Sequence, residues 1–171
     1  VPAILPNLQY LLAMSVHHLT SKHRKTLFVA TQGVKEYRAT IPEYVNEHDL
    51  VLDIGCEWGT TTVLLAERAR EVVGIDIGEE PLQRARERHP HLRFECLDAW
   101  DMDAVLKLGR PFTKVYMDIS GLSGYNSLLD LISILNMYEA CLRPETIVVK
   151  SSALKSFAGR CRAWKMTPKQ G

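Results

Sequence analysis

The chain has 171 residues, enough for one domain with a substantial core and too few for two of ordinary size. An apolar share of 46% and a charged share of 24% describe an ordinary globular protein, and no apolar run approaches the roughly 18 residues of a membrane span. The net charge of +1 hides an asymmetry: residues 36–145 hold all 20 acids against 11 basic residues, and both flanks are purely basic.

Taken in chain order, Ile4, Leu8, Leu11, Leu12 and Val16 recur at helical spacing and predict a helix over 3–19. Residues 26–31 form a short β-rich run, and 34–45 reads as a helix despite Pro42. A regular alternation follows. Strands are expected at 50–54, 71–77, 92–96, 113–119 and 146–150. Helices are expected at 60–70, 79–88, 102–108, 125–141 and 153–162. The strands are continuous apolar runs, as in a sheet covered on both faces. The alternation predicts a doubly wound, Rossmann-like α/β fold with a mostly parallel sheet. Residues 1–46 read as a helical extension that caps the site or meets the substrate, and 47–171 as the cofactor-binding domain.

The strand over 50–54 runs into Asp53-Ile54-Gly55-Cys56-Glu57-Trp58-Gly59-Thr60-Thr61. Gly55 permits a tight turn and close approach of a ligand to the backbone; Gly59 does the same where the helix begins, and Thr60 is placed to cap it. The next strand ends in Asp76-Ile77, 23 residues after Asp53, where a carboxylate can accept from both hydroxyls of a ribose. Asp98-Ala99 follows the third strand, within reach of an adenine amino group. A dinucleotide is disfavoured, because Glu57 would stand where its pyrophosphate sits on the helix start.

VLDIGCEWGTTTVLLAER, followed by VVGIDI, ECLDAW and KVYMDIS, resembles the ordered motifs of class I S-adenosylmethionine-dependent methyltransferases over about 48–152. The resemblance implies S-adenosylmethionine as cofactor. Gly55 and its neighbours would approach its methionine part, Asp53 the ammonium, Asp76 the ribose and Asp98 the adenine. The candidate cofactor set is Asp53, Gly55, Cys56, Glu57, Trp58, Gly59, Thr60, Thr61, Asp76, Ile77, Asp98, Ala99 and Asp118.

The fourth strand of the alternation ends in Met117-Asp118-Ile119-Ser120-Gly121, where the methyl group should point. No Asn/Asp-Pro-Pro-aromatic motif is present to cradle a base amino group. Cys141, the nearest cysteine in sequence, is too far along the next helix to serve as a pyrimidine C5 nucleophile. Asp118 and Lys150 end neighbouring strands and can pair; equally, Lys150 can reach solvent at the sheet rim. Their spacing, with VVKSSALKSF and with Lys35 18 residues before Asp53, resembles the FtsJ-type RNA 2′-O-ribose methyltransferases, and GTT at 59–61 resembles the fibrillarin-like enzymes. That resemblance implies Lys35, Asp118 and Lys150 as catalytic residues. The sequence departs from the pattern in three ways. It has no proline after Asp118, no acid after Glu145, and no clear closing strand pair.

RNA is the expected partner, held by Lys22, Arg24 and Lys25 on one flank and Arg160, Arg162 and Lys165 on the other, with Trp164 placed to stack a base; the same flanks read equally as solvated tails or helix faces, and Trp164 as a surface anchor. A small-molecule or protein methyltransferase, and a non-catalytic cofactor-binding scaffold, stay open beside it. No metal is expected: the four cysteines lack C-x-x-C spacing, and His17, His18 and His23 do not share a helix face. Scattered cysteines fit a reducing compartment, the cytoplasm by default, with nucleus and organelles open.

Overall fold

A computed structural model describes residues 26–162. The helix expected over 3–19, the three histidines, Lys22, Arg24, Lys25, Trp164 and Lys165 lie outside the described residues. The chain opens with β1 (Leu27–Thr31), α1 (Val34–Ala39) and α2 (Ile41–Tyr44). Then come β2 (Leu50–Ile54), α3 (Thr60–Ala66), β3 (Glu71–Asp76), α4 (Glu79–Arg88) and β4 (Arg93–Cys96). Last are α5 (Met102–Lys107), β5 (Lys114–Met117), α6 (Leu128–Leu142), β6 (Thr146–Lys150) and α7 (Ser152–Ala158). The six strands lie in the order β1-β6-β5-β2-β3-β4, and every pairing is parallel.

Alternation along β2 explains the two layers. Val51 faces Tyr37, Ile41 and Leu65 from α1, α2 and α3; Leu52 and Ile54 face Val105, Leu131, Ile134 and Tyr138 from α5 and α6. Each fully buried aliphatic side chain of this kind stabilises the fold by about 1.5–3 kcal/mol. A third, small cluster joins Cys56, Leu82, Ala85 and Phe94. At the amino ends of the strands, the buried Lys114 ammonium meets Asp49 at 3.1 Å and also contacts Glu145, so its charge is paired.

Two expectations need correction. Residues 34–45 form two short helices, because Thr40 closes α1 and Pro42 stands in the first turn of α2, where its missing N–H costs nothing. The boundary at 46 also falls inside the domain. β1 pairs with β6 over Leu27↔Thr146 to Thr31↔Lys150, and Tyr37, Ile41 and Val45 are core residues. At least 27–46 is thus part of the sheet and its core. The edge beside β6 is filled by a parallel strand from the start of the described chain.

Candidate cofactor and acceptor site

From β2 the chain winds outward through β3 to β4, then returns to β5 on the other side of β2. The loops after β2 and β5 therefore leave the sheet in opposite directions and open a crevice at the carboxyl ends of the strands.

Beside this crevice, Gly55 adopts φ 73°, and a Cβ there would lie 2.0 Å from the Asp118 carbonyl oxygen. Gly59 adopts φ 77°, and a Cβ there would lie 2.8 Å from the Phe94 ring. Protein atoms alone therefore require a glycine at both positions. Gly59 also supplies the N-cap of α3, leaving Thr60 exposed at the first helical position with no capping bond. Cys56 turns into the Phe94 cluster, where burial pushes its thiol well up, so its side chain belongs to the core. Trp58 lies under the Arg88 guanidinium at 5.8 Å and so engages α4. Thr61 accepts from Arg38 Nε at 3.2 Å, a tie between α1 and α3 that no sequence pattern announced.

The acids behave differently. Asp76 accepts from the Gly78 amide through Oδ1 at 2.9 Å and from the Glu57 amide through Oδ2 at 3.0 Å. The left-handed φ of 48° at Glu57 belongs to the turn that presents that amide. Each Asp76 oxygen keeps a lone pair, which suits two adjacent hydroxyls. Asp98 Oδ1 accepts from the Trp100 amide at 2.9 Å, and the neighbouring Ala99 carbonyl accepts from the Tyr138 hydroxyl at 2.9 Å. Ile77 is 73% exposed and Trp100 44%, leaving apolar surface next to both acids in the chain. Trp100 escaped the sequence reading because a lone aromatic in a loop has no periodicity.

Asp53 is buried, with Oδ2 bonded by the Thr62 hydroxyl at 2.7 Å. Burial pushes its carboxyl up to about 7, with the charges of Asp118 and Asp76 adding; the Thr62 bond and the Arg38 charge act the other way. Thr62, also missed, reads in sequence as one of three threonines.

On the other wall, Lys150 Nζ and Asp118 Oδ1 meet at 2.6 Å, with about a quarter of each side chain exposed. The loop after β5 is tied to β6 and α7 through Ser123. Its hydroxyl donates to the Lys150 carbonyl at 3.3 Å, and its carbonyl receives the Ala153 amide at 3.3 Å. Lys35 is exposed on α1 and makes no hydrogen bond or ion pair with Asp118 or Lys150.

The strand-end acceptor set tests the ligand type. Asp53, Glu57, Asp76, Asp98 and Asp118 present carboxylates, and Lys150 is committed to Asp118. Such a set repels phosphates and receives hydroxyls, an amine and positive charge. S-adenosylmethionine offers all three.

A family model described as a methyltransferase domain matches residues 51–145, more than half the chain. This chain belongs to the methyltransferase-domain family. Its cofactor is S-adenosylmethionine. The domain is 43% identical over 70 residues to trans-aconitate 2-methyltransferase of Variovorax paradoxus, covering 40% of this chain and 26% of that protein. It is 32% identical over 108 residues to a putative ribosomal RNA large subunit methyltransferase of Methanocaldococcus jannaschii, covering 58% and 28%. The chain thus spans about a quarter of the length of the curated relatives it matches. Among solved structures, the fold is shared with precorrin 8W decarboxylase of Methanobacterium thermoautotrophicum. The TM-score is 0.54 at 24% identity, over 77% of this chain and 70% of that one. Among the described residues, no helix is long and apolar enough to cross a membrane, and no three His, Cys, Asp or Glu side chains group to hold a metal ion.

Proposed function

We propose that the domain transfers a methyl group from S-adenosylmethionine to a hydroxyl oxygen of RNA, the ribose 2′-hydroxyl being the acceptor. The observation that carries this reading is the Asp118–Lys150 contact of 2.6 Å across the carboxyl ends of β5 and β6, beside the switch point of the sheet. The bound cofactor supplies an activated methyl group on a sulfonium. What the protein must add is alignment of an oxygen and a route for its proton. The ammonium of Lys150 offers donors to orient that oxygen, and the Asp118 carboxylate holds the lysine in place. As the oxygen is methylated, its proton passes to Lys150 while Lys150 gives one of its own to Asp118, leaving an ammonium beside a carboxylic acid.

Exposed Arg160 and Arg162 beyond α7, together with the basic residues outside 26–162, support a polyanionic acceptor. The likeness to a protein described as a ribosomal RNA methyltransferase points the same way. The test is incubation with radiolabelled cofactor and total RNA, followed by alkaline hydrolysis. Label in alkali-resistant dinucleotides supports ribose methylation; label in mononucleotides, or none in RNA, rejects it. A second reading, methylation of a small carboxylic acid, is favoured by the 43% identity to trans-aconitate 2-methyltransferase. It predicts label in an organic-soluble fraction.

A further inference from the structure

S-adenosylmethionine carries one group that the acid-rich strand ends do not receive, its carboxylate. Asp53, Asp76, Asp98 and Asp118 repel an anion, and Lys150 is spent on Asp118. A counter-ion must come from another element, and α1 offers one. Arg38 is half-buried on α1, and its Nε donates to Thr61 Oγ1 at 3.2 Å. Thr61 lies in the first turn of α3, directly after the Gly55–Gly59 turn. The next residue, Thr62, donates to Asp53 Oδ2 at 2.7 Å. The guanidinium is thus anchored two residues past Gly59, on the turn of helix that also holds Asp53. Its charge is felt there, opposing the upward pull of burial on the Asp53 carboxyl.

A guanidinium has five N–H donors. Arg38 uses Nε alone; its Nη groups meet no acceptor and no carboxylate among the described residues. Glu36, on the same helix, is taken by Lys155 and by the Gln32 amide. Lys35 and Arg88 are exposed, so water solvates their charges, but a half-buried cation without a counter-ion is costly. The Thr61 bond fixes the guanidinium and leaves both Nη groups for an anion, a fork that grips a carboxylate with two parallel bonds. We propose that Arg38 binds the carboxylate at the methionine end of S-adenosylmethionine, with Thr61 aiming the guanidinium. This rests on the cofactor alone and is independent of the acceptor.

Calorimetry with two ligands tests it. S-adenosylhomocysteine carries the carboxylate. Its decarboxylated analogue, 5′-deoxy-5′-(3-aminopropylthio)adenosine, keeps the amine and the thioether and lacks only that group. Arg38→Gln should bind S-adenosylhomocysteine about 10- to 100-fold more weakly than the parent does, the scale of charge-assisted hydrogen bonds. It should bind the analogue no more weakly, because a cation has been removed from beside an amine. Arg38→Lys keeps the charge without the fork; its loss should be smaller and again confined to S-adenosylhomocysteine, and it carries the test if the glutamine variant does not fold. Thr61→Ala should weaken S-adenosylhomocysteine by about threefold and spare the analogue. Equal weakening of both ligands in the Arg38 variants would overturn the proposal, since it indicates only a tie between α1 and α3. Unchanged S-adenosylhomocysteine affinity would also overturn it; weaker RNA binding in the same variant would then assign the guanidinium to a phosphate of the acceptor. A parent protein that binds neither ligand overturns the cofactor assignment and this proposal with it.

Discussion

Gly55 and Asp118 are locked together: the α-carbon of one faces the carbonyl oxygen of the other, with no room for a side chain between them. The turn that borders the cofactor and the strand end that carries the acceptor-side acid are one mechanical unit. Gly55→Ala should therefore cost about 3 kcal/mol or more, from the left-handed backbone and the clash with main-chain atoms. For a chain of this size that lowers Tm by roughly 10 °C. Gly33→Ala is the control. Its backbone is extended and its surroundings are open, so thermal unfolding should show a change of less than about 1 kcal/mol.

Asp76→Ala removes the acceptor for two backbone amides as well as for the ribose. S-adenosylhomocysteine affinity should fall about 10- to 100-fold by calorimetry. An unaltered affinity would sink the assignment of Asp76.

The Asp53 carboxyl titrates near 7 in the fold, against an ordinary value of 3.8. Between these values the folded state holds a proton that the unfolded state has lost. Its contribution to stability is complete below about pH 4 and declines as pH rises to and through 7. Asp53→Asn keeps an acceptor for Thr62 without the buried charge. The variant should match the parent at pH 4 and exceed it at pH 8, by an amount on the order of a few kcal/mol. Its affinity for S-adenosylhomocysteine should move the other way. Melting curves and calorimetry across that pH range check both signs.

Lys150→Ala should leave S-adenosylhomocysteine binding nearly intact and cut single-turnover methyl transfer by about 10²-fold. Lys150→Arg should be almost as damaging, because a guanidinium keeps the charge but does not release a proton. Lys35→Ala should run at the parental rate, since Lys35 is exposed and forms no ion pair with Asp118. Near-parental transfer by Lys150→Arg would refute proton transfer through the lysine.

The residues most legible in the sequence were those whose neighbours are local. β2, α4 and β6 lie where apolar runs, a first-turn Glu79-Glu80 and a last-turn Arg88 put them. The three strand-end acids were found because a parallel alternation brings such positions to one edge. The same logic offered the pairing of Asp118 with Lys150 as one of two readings, the other being a lysine directed to solvent. What local pattern could not give was the other side of each contact. Nothing near Gly59 says that Phe94 fills its open face, and nothing near Trp58 names Arg88. Arg38 read only as a residue within a helix, since a cation without a counter-ion is a property of the assembled fold.

The pairing of β1 with β6 also sets an order of events. Leu27 and its partner Thr146 are separated by nearly the whole described chain, so this ladder has the costliest loop to close. Contacts of such separation form late in folding. On a ribosome, β1 must wait, with its backbone unpaired along the edge that β6 will meet, until its partner is made. The side chain at the end of that ladder is Lys150, opposite Thr31. The candidate proton-handling lysine is thus among the last residues to reach its place, and a half-made domain carries the cofactor-side acids before it carries the means to react.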